Sequence, residues 1–198
     1  MSDPDFKRKG DTLTPIEPEG VRDPEYYEEE SALLRLSRAL AAGESAVAQE
    51  VGEALNYPAV YREKHEERLE ERGLATETVP LLAWIALVDA LIAQELALEI
   101  DWKDDGDTVL YAIGKLLDRK QLLAETRQLP SKAALEGKPT HESLQACHDR
   151  LLAQDVALAC LDIDSDSYVL VVVPAGQFDE LQELAAEAGY RLSGEYSG

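Results

Sequence analysis

The sequence predicts an α+β fold: a bundle of about five to seven helices packed with a small, mainly antiparallel sheet of three to four strands in the C-terminal third. Three observations predict it. Apolar residues recur at helical spacing through the first two thirds, as in Leu33, Leu36 and Leu40. The last third changes period, with β-rich runs at Val156-Ala-Leu-Ala-Cys-Leu161 and Tyr168-Val-Leu-Val-Val-Val173. Between them, Asp162-Ile-Asp-Ser-Asp-Ser167 supplies turn residues, which together read as a hairpin.

Taken in order, residues 1–28 hold Pro4, Pro15, Pro18, Pro24 and a Lys7-Arg8-Lys9 triplet, with almost no periodic apolar pattern. They read as an acidic, Pro-rich flexible tail before one domain spanning 29–198. A first helix runs from near Glu29 through Leu33, Leu34, Leu36 and Leu40 and stops at Gly43. A second starts at Glu44 or Ser45 and continues through Val47, Val51 and Leu55 to Tyr57-Pro58. The third spans Pro58 to Arg72, with a thin stripe of Val60, Tyr61 and Leu69 that places it on the outside. Thr78-Val79-Pro80 opens a fourth, with proline tolerated in its first turn. That helix is apolar on nearly every side, so other elements must cover it.

Ala97 to Trp102 alternates and reads as a short strand. Lys103 to Asp107 is a turn, and Asp105 or Asp107 would cap a helix reaching about Arg119. Residues 126–139 read as a connector, with Pro130, Gly137 and Pro139. A helix follows from about His141 to Ala153. After Pro174 the pattern gives a helix from about Gln177 to Ala188, then Gly189 and a third strand at Tyr190–Ser193.

Length and charge narrow the function classes. At 198 residues the chain is long enough for a real core. Its 40 acidic against 19 basic side chains give a net charge of −21. Nucleic-acid binders exchange counterions for Lys and Arg, so direct nucleic-acid binding is not expected. An anionic membrane surface is disfavoured for the same reason. Two cysteines, Cys147 and Cys160, read as reduced thiols of a cytoplasmic protein. Met1-Ser-Asp-Pro-Asp is acidic with no apolar stretch behind it, which speaks against a signal peptide. The most apolar segment, Leu81 to Leu98, carries Asp89, Gln94 and Glu95 and reads as a buried helix instead of a membrane span.

Three stretches are similar, in their order and spacing, to a family of small bacterial proteins classed as a domain of unknown function. They are Leu82-Ala-Trp-Ile-Ala-Leu-Val-Asp-Ala-Leu91, then Asp101-Trp-Lys-Asp104, then Asp162 with Ser165-Asp-Ser-Tyr-Val-Leu170. The resemblance covers roughly residues 45–190. It implies a bacterial, soluble, single-domain protein, and it carries no established activity, cofactor or catalytic residue.

Asp89 is the most interesting single side chain, the one full charge between Leu81 and Gln94 on a helix that packing arguments bury. A buried carboxylate must be paired, hydrogen-bonded or protonated. It is either a general base or metal ligand in a cleft, or an arginine partner that holds the bundle in register. Asp101, Asp104, Asp105 and Asp107 crowd one turn with oxygen ligands, yet match no ion-binding loop, and an N-cap accounts for Asp105 or Asp107.

Asp162, Asp164 and Asp166 begin like a calcium loop, but Ser167 stands where its glycine belongs and Val173 where its glutamate belongs. A weak metal site shared by the two turns is the metal-binding alternative. His141 and His148 are seven residues apart, too far for one zinc ion, and Cys147 lacks a neighbouring base. Nucleophile-elbow, P-loop and zinc-protease motifs are missing, and no cofactor is expected.

The remaining signal is charge. Glu28-Glu29-Glu30, Glu66-Glu67 and Glu70-Glu71 place acid on outer helices, either for solubility with i,i+4 partners or as a surface for a basic protein. Tyr26, Tyr27, Trp84 and Trp102 are candidate anchors, with both tryptophans expected in the core. The expectation is a non-catalytic interaction module of immunity-protein or adaptor type, acting through Glu66, Glu67, Glu70 and Glu71. The alternative is a metal-dependent enzyme using Asp89 with the Asp101–Asp107 and Asp162–Asp166 turns.

Overall fold

A computed structural model describes residues 30–74, 78–122 and 128–196. The expected tail and Tyr26-Tyr27 lie outside these residues. Helix α1 (Ala32–Leu40) is capped by Ser31, whose Oγ accepts the Leu34 amide. It is followed by α2 (Ser45–Asn56), α3 (Pro58–Lys64), α4 (Glu66–Glu71) and α5 (Val79–Ala93). Then come β1 (Leu98–Asp101), α6 (Gly106–Arg119), α7 (Lys132–Leu135), α8 (Thr140–Leu152), β2 (Val156–Leu161) and β3 (Ser167–Pro174). A 3₁₀ turn at Ala175–Gln177 leads into α9 (Phe178–Glu187) and β4 (Leu192–Ser193).

The four strands form one antiparallel sheet in the order β1-β3-β2-β4. β2 and β3 are apolar at successive positions because both faces of the sheet are covered. The period-2 alternation divides them between two cores. Ala157, Ala159, Leu161, Val169, Val171 and Val173 pack with α1, α2, α5 and α9. Val156, Leu158, Leu170 and Val172 pack with α6, α7 and α8 on the opposite face. The α+β class is therefore correct, but the sheet lies between two helical layers instead of beside one bundle.

Two elements differ from expectation. The helix read as Pro58–Arg72 breaks at His65, where φ is −119° and ψ is 24°. No proline or glycine marks the break. It lets α3 bury Tyr61 and α4 bury Leu69 while Arg68 and Arg72 turn toward α5. Within the stretch read as a connector, α7 forms a single turn capped by Ser131 and anchored by buried Leu135. These two features raise the count to nine α-helices among the described residues.

Helix α5 is the spine. Ten consecutive residues, Leu82–Leu91, are buried, including Asp89. Trp84 is fully buried, stacks on Tyr190 at 4.4 Å and donates its indole N–H to the Asp162 carbonyl at 2.8 Å. That bond ties the β2–β3 hairpin to the helical layer. No helix among the described residues is long and apolar enough to cross a membrane.

Candidate functional site

Asp89 sits under α4, 6% exposed, between two arginines. Arg72 Nη2 lies 2.8 Å from Oδ1 and Arg68 Nε lies 3.0 Å from Oδ2. The Arg68 contact is an ion pair whose angle is poor for a hydrogen bond. Burial pushes the Asp89 carboxyl above the usual aspartate range, against the pull of Arg72 and Arg68.

The arginines extend the network to three further elements. Arg68 also pairs with Glu50 of α2 at 2.6 Å and donates to the Tyr61 hydroxyl. Tyr61 donates to Glu50 at 2.9 Å, and burial together with the Glu50 carboxylate raises its pKa. Arg72 also reaches Glu99 of β1 at 3.0 Å, and Glu99 accepts from Ser167 at the start of β3 at 2.5 Å. Asp89 is thus the centre of an ionic clip joining α2, α4, α5 and β1. Both its oxygens face guanidinium groups, so it is placed as an arginine partner rather than as a free base.

The two acidic turns come together, as pairing of β1 with β3 requires. Asp101 is the register partner of Ser167, and Trp102 N donates to the Asp166 carbonyl at 3.1 Å. Most of the carboxylates already serve their own turns. Asp101 accepts from Lys103 N, and Asp104 from Asp101 N, each at 2.8 Å. Asp105 caps α6 by accepting from Thr108 N at 2.9 Å, which holds its carboxyl below the usual range. Asp162 accepts from Asp164 N at 2.9 Å, and Asp164 has a left-handed φ of 54°. Among the described residues, no group of three or more His, Cys, Asp or Glu side chains is arranged to hold a metal ion.

Two cavities flank these turns. The larger, about 970 Å³, lies between the β1–α6 turn and the α7–α8 segment and includes Asp104, Asp105 and Asp107 in its wall. The smaller, about 370 Å³, is bounded by Asp162, Asp166, Cys160, Arg191 and Glu195. Trp102 and Tyr168 belong to both walls, whereas Asp89 lines neither. Trp102 is 49% exposed, contrary to the expectation that both tryptophans lie in the core. The pinned turn explains its exposure: Thr140 Oγ1 lies 2.6 Å from both the Trp102 and Asp104 carbonyls.

Glu66, Glu67, Glu70 and Glu71 are all exposed on α4. None has an ion pair among the described residues: Lys64, three before Glu67, pairs with Glu53, and Arg68, three before Glu71, is turned inward. Tyr57 and Val60, at 65% and 54% exposure, lie at the start of neighbouring α3. Sequence reasoning missed the Tyr57–Val60 patch and the joint role of Arg68 and Arg72. Their spacing of four residues on one helical face was the available signal.

On the other side of the sheet, His148 is buried and donates Nδ1–H to the Leu158 carbonyl at 2.7 Å. The thiols of Cys147 and Cys160 are free, and burial pushes each up to about 12.

Fold and site together define a sheet sandwiched by helices, with an ionic clip under one acidic helix and an aromatic ridge between two clefts. The chain belongs to the family described as Domain of unknown function (DUF6630), whose model matches residues 32–196. No curated protein and no solved structure matches the chain.

Proposed function

We propose that the protein is a non-catalytic interaction module that engages a basic protein partner through the outer face of α4, in the manner of an immunity protein or adaptor. One observation carries the reading. Arg68, the basic residue of α4, is drawn inward to Asp89 and Glu50, while Glu66, Glu67, Glu70 and Glu71 are exposed and without ion pairs among the described residues. Helix faces satisfy their carboxylates with pairs three or four residues apart, and here Lys64, three before Glu67, is committed to Glu53 and Arg68, three before Glu71, to Glu50 and Asp89. Exposed Tyr57 and Val60 supply apolar contact area at the rim of the acidic patch. Acidic patches of this kind raise the association rate with cationic partners and lose that gain as salt screens them.

The test is affinity capture with the wild type and the E66Q/E67Q/E70Q/E71Q variant side by side, followed by binding kinetics of the captured partner. The expected partner is basic and retained only by the wild type. Its association rate should fall about tenfold or more between low and physiological salt. Equal capture by both proteins, or an association rate indifferent to salt, would sink the reading.

A further inference from the structure

The aromatic ridge is separate from the α4 face and has its own chemistry. Trp102 is held from both sides, by the hydrogen bond its backbone N–H donates to the Asp166 carbonyl and by the Thr140 hydroxyl, which donates to the Trp102 carbonyl. Its ring is half exposed between two cavities, and Tyr168 continues the ridge into both. Lys103 Nζ already lies 4.7 Å from the Trp102 ring centroid, so the face is occupied by an ammonium from its own chain.

Carboxylates line the cavity on each side of the ridge. Glu136 lines the larger cavity, while Asp166 and Glu195 line the smaller. Glu136 and Asp166 have no ion pair among the described residues, and Glu195 approaches Arg191 no closer than 3.9 Å. Of the larger cavity's other lysines, Lys132 is paired with Asp107 at 2.7 Å and Lys138 lies 3.9 Å from Glu142. Close packing keeps this cavity's wall in place: a Cβ on Gly106 would lie 2.7 Å from Leu135 Cβ.

We propose that the two clefts form one groove for a linear aliphatic polyamine. One ammonium replaces Lys103 Nζ on the Trp102 ring, the methylene chain lies along Trp102 and Tyr168, and the outer ammonium groups meet Glu136 on one side and Asp166 with Glu195 on the other. The alternation of acid, aromatic ring and acid matches alternating ammonium and methylene segments. A ring face attracts cations through its quadrupole, and its apolar surface covers CH₂ groups that water solvates poorly. Lys103 is exposed and its contact is with the ring, so a ligand can displace it without disturbing a packed element.

Calorimetric titration of the full chain with spermidine, at fixed ionic strength, tests the proposal. Saturable binding is expected, together with a change in fluorescence from Trp102, since the chain's other tryptophan, Trp84, is buried. Trp102→Leu should weaken binding at least about tenfold, and Lys103→Met should tighten it about two- to fivefold by vacating the ring. Trp102→Phe, which keeps a ring, should retain part of the affinity and guards against a folding defect in the Leu variant.

The E66Q/E67Q/E70Q/E71Q variant should bind spermidine like the wild type, so this groove and the α4 face stand or fall separately. Unchanged affinity in Trp102→Leu would overturn the proposal. So would an equal response to Na⁺ or Mg²⁺ at matched ionic strength, which is charge screening. Saturable binding of a lysine-rich peptide with none of spermidine would also overturn it, and would assign the ammonium to a protein.

Discussion

Replacing Lys120 with methionine is expected to stabilise the protein by about 2 kcal/mol near neutral pH. Lys120 ends α6 with its amine largely buried, and its partner is the Leu40 carbonyl at the end of α1, at 3.1 Å. No carboxylate pairs with it among the described residues, and Arg119 beside it is a like charge. Burial, reinforced by Arg119, pulls its pKa from 10.5 down to about 8. At 1.36 kcal/mol per pH unit, that difference corresponds to a cost of about 3 kcal/mol for keeping the ammonium charged in the fold. Methionine fills nearly the same volume without the charge, but loses a hydrogen bond worth about 1 kcal/mol. The net is about 2 kcal/mol, or a rise in Tm of roughly 4–8 °C for a chain of this length.

The pH dependence follows from linkage. Unfolded, Lys120 keeps its proton up to about 10.5, whereas folded it releases it near 8. Between these values the unfolded state binds more protons, so wild-type stability from this group rises with pH. Below about 8 the cost is fully present. The advantage of Lys120→Met should therefore be greatest at pH 7, shrink from pH 8, vanish at about pH 9.5 and reverse to a deficit of about 1 kcal/mol above about pH 10.5, where only the lost hydrogen bond remains. Urea denaturation of both proteins across that range measures it. A Lys120→Met protein less stable than the wild type at pH 7, or an offset that does not change with pH, would refute the reasoning. Either would mean that the helix-end carbonyls of Leu40 and Gln94 hold the cationic pair Arg119–Lys120 more strongly than burial opposes it.

Two further substitutions probe the frame around the sites. Asp89→Ala removes the shared partner of Arg68 and Arg72 and should cost about 3 kcal/mol by urea denaturation. That is the low end for breaking a buried pair, because Glu50 and Glu99 remain for the arginines; a loss under about 0.5 kcal/mol would show the clip to be dispensable. Gly194→Ala would put a Cβ 2.5 Å from His148 Cε1 and 3.1 Å from Phe178 Cζ. Displacement of the imidazole should cost about 2 kcal/mol and expose the Leu158 carbonyl to faster exchange at its neighbours, and a Tm equal to the wild type's would contradict it.

The sequence by itself determined what depends on near neighbours along the chain. Period-3.6 and period-2 patterning placed α1, α2, α5, α6, α8 and the β2–β3 hairpin, because burial on one face or two is written in residue spacing. It marked Asp89 as a charge in need of a partner, and Asp105 or Asp107 as a cap, of which the fold uses Asp105. The arginines' choice of partner was not legible. Arg68 has the Glu71 carboxylate within i,i+3 reach on its own helix, yet turns to Asp89 and Glu50 across the core boundary. In the half-buried space under α4 a charge pair is screened less than on the surface, and Asp89 has no neighbour on its own helix to satisfy it.

The break at His65 has the same cause: no local residue demands it, but burial of Tyr61 and Leu69 with inward Arg68 and Arg72 does. The exposure of Trp102 was likewise beyond pattern reasoning. An indole after an apolar alternation reads as core, and only the ties from Asp166 and Thr140 turn it outward between two cavities. Spacing along the chain decides which residues must be buried. Which charges meet, and which aromatic ring is left facing water, is decided by elements distant in sequence that the tertiary structure brings within 3 Å of one another.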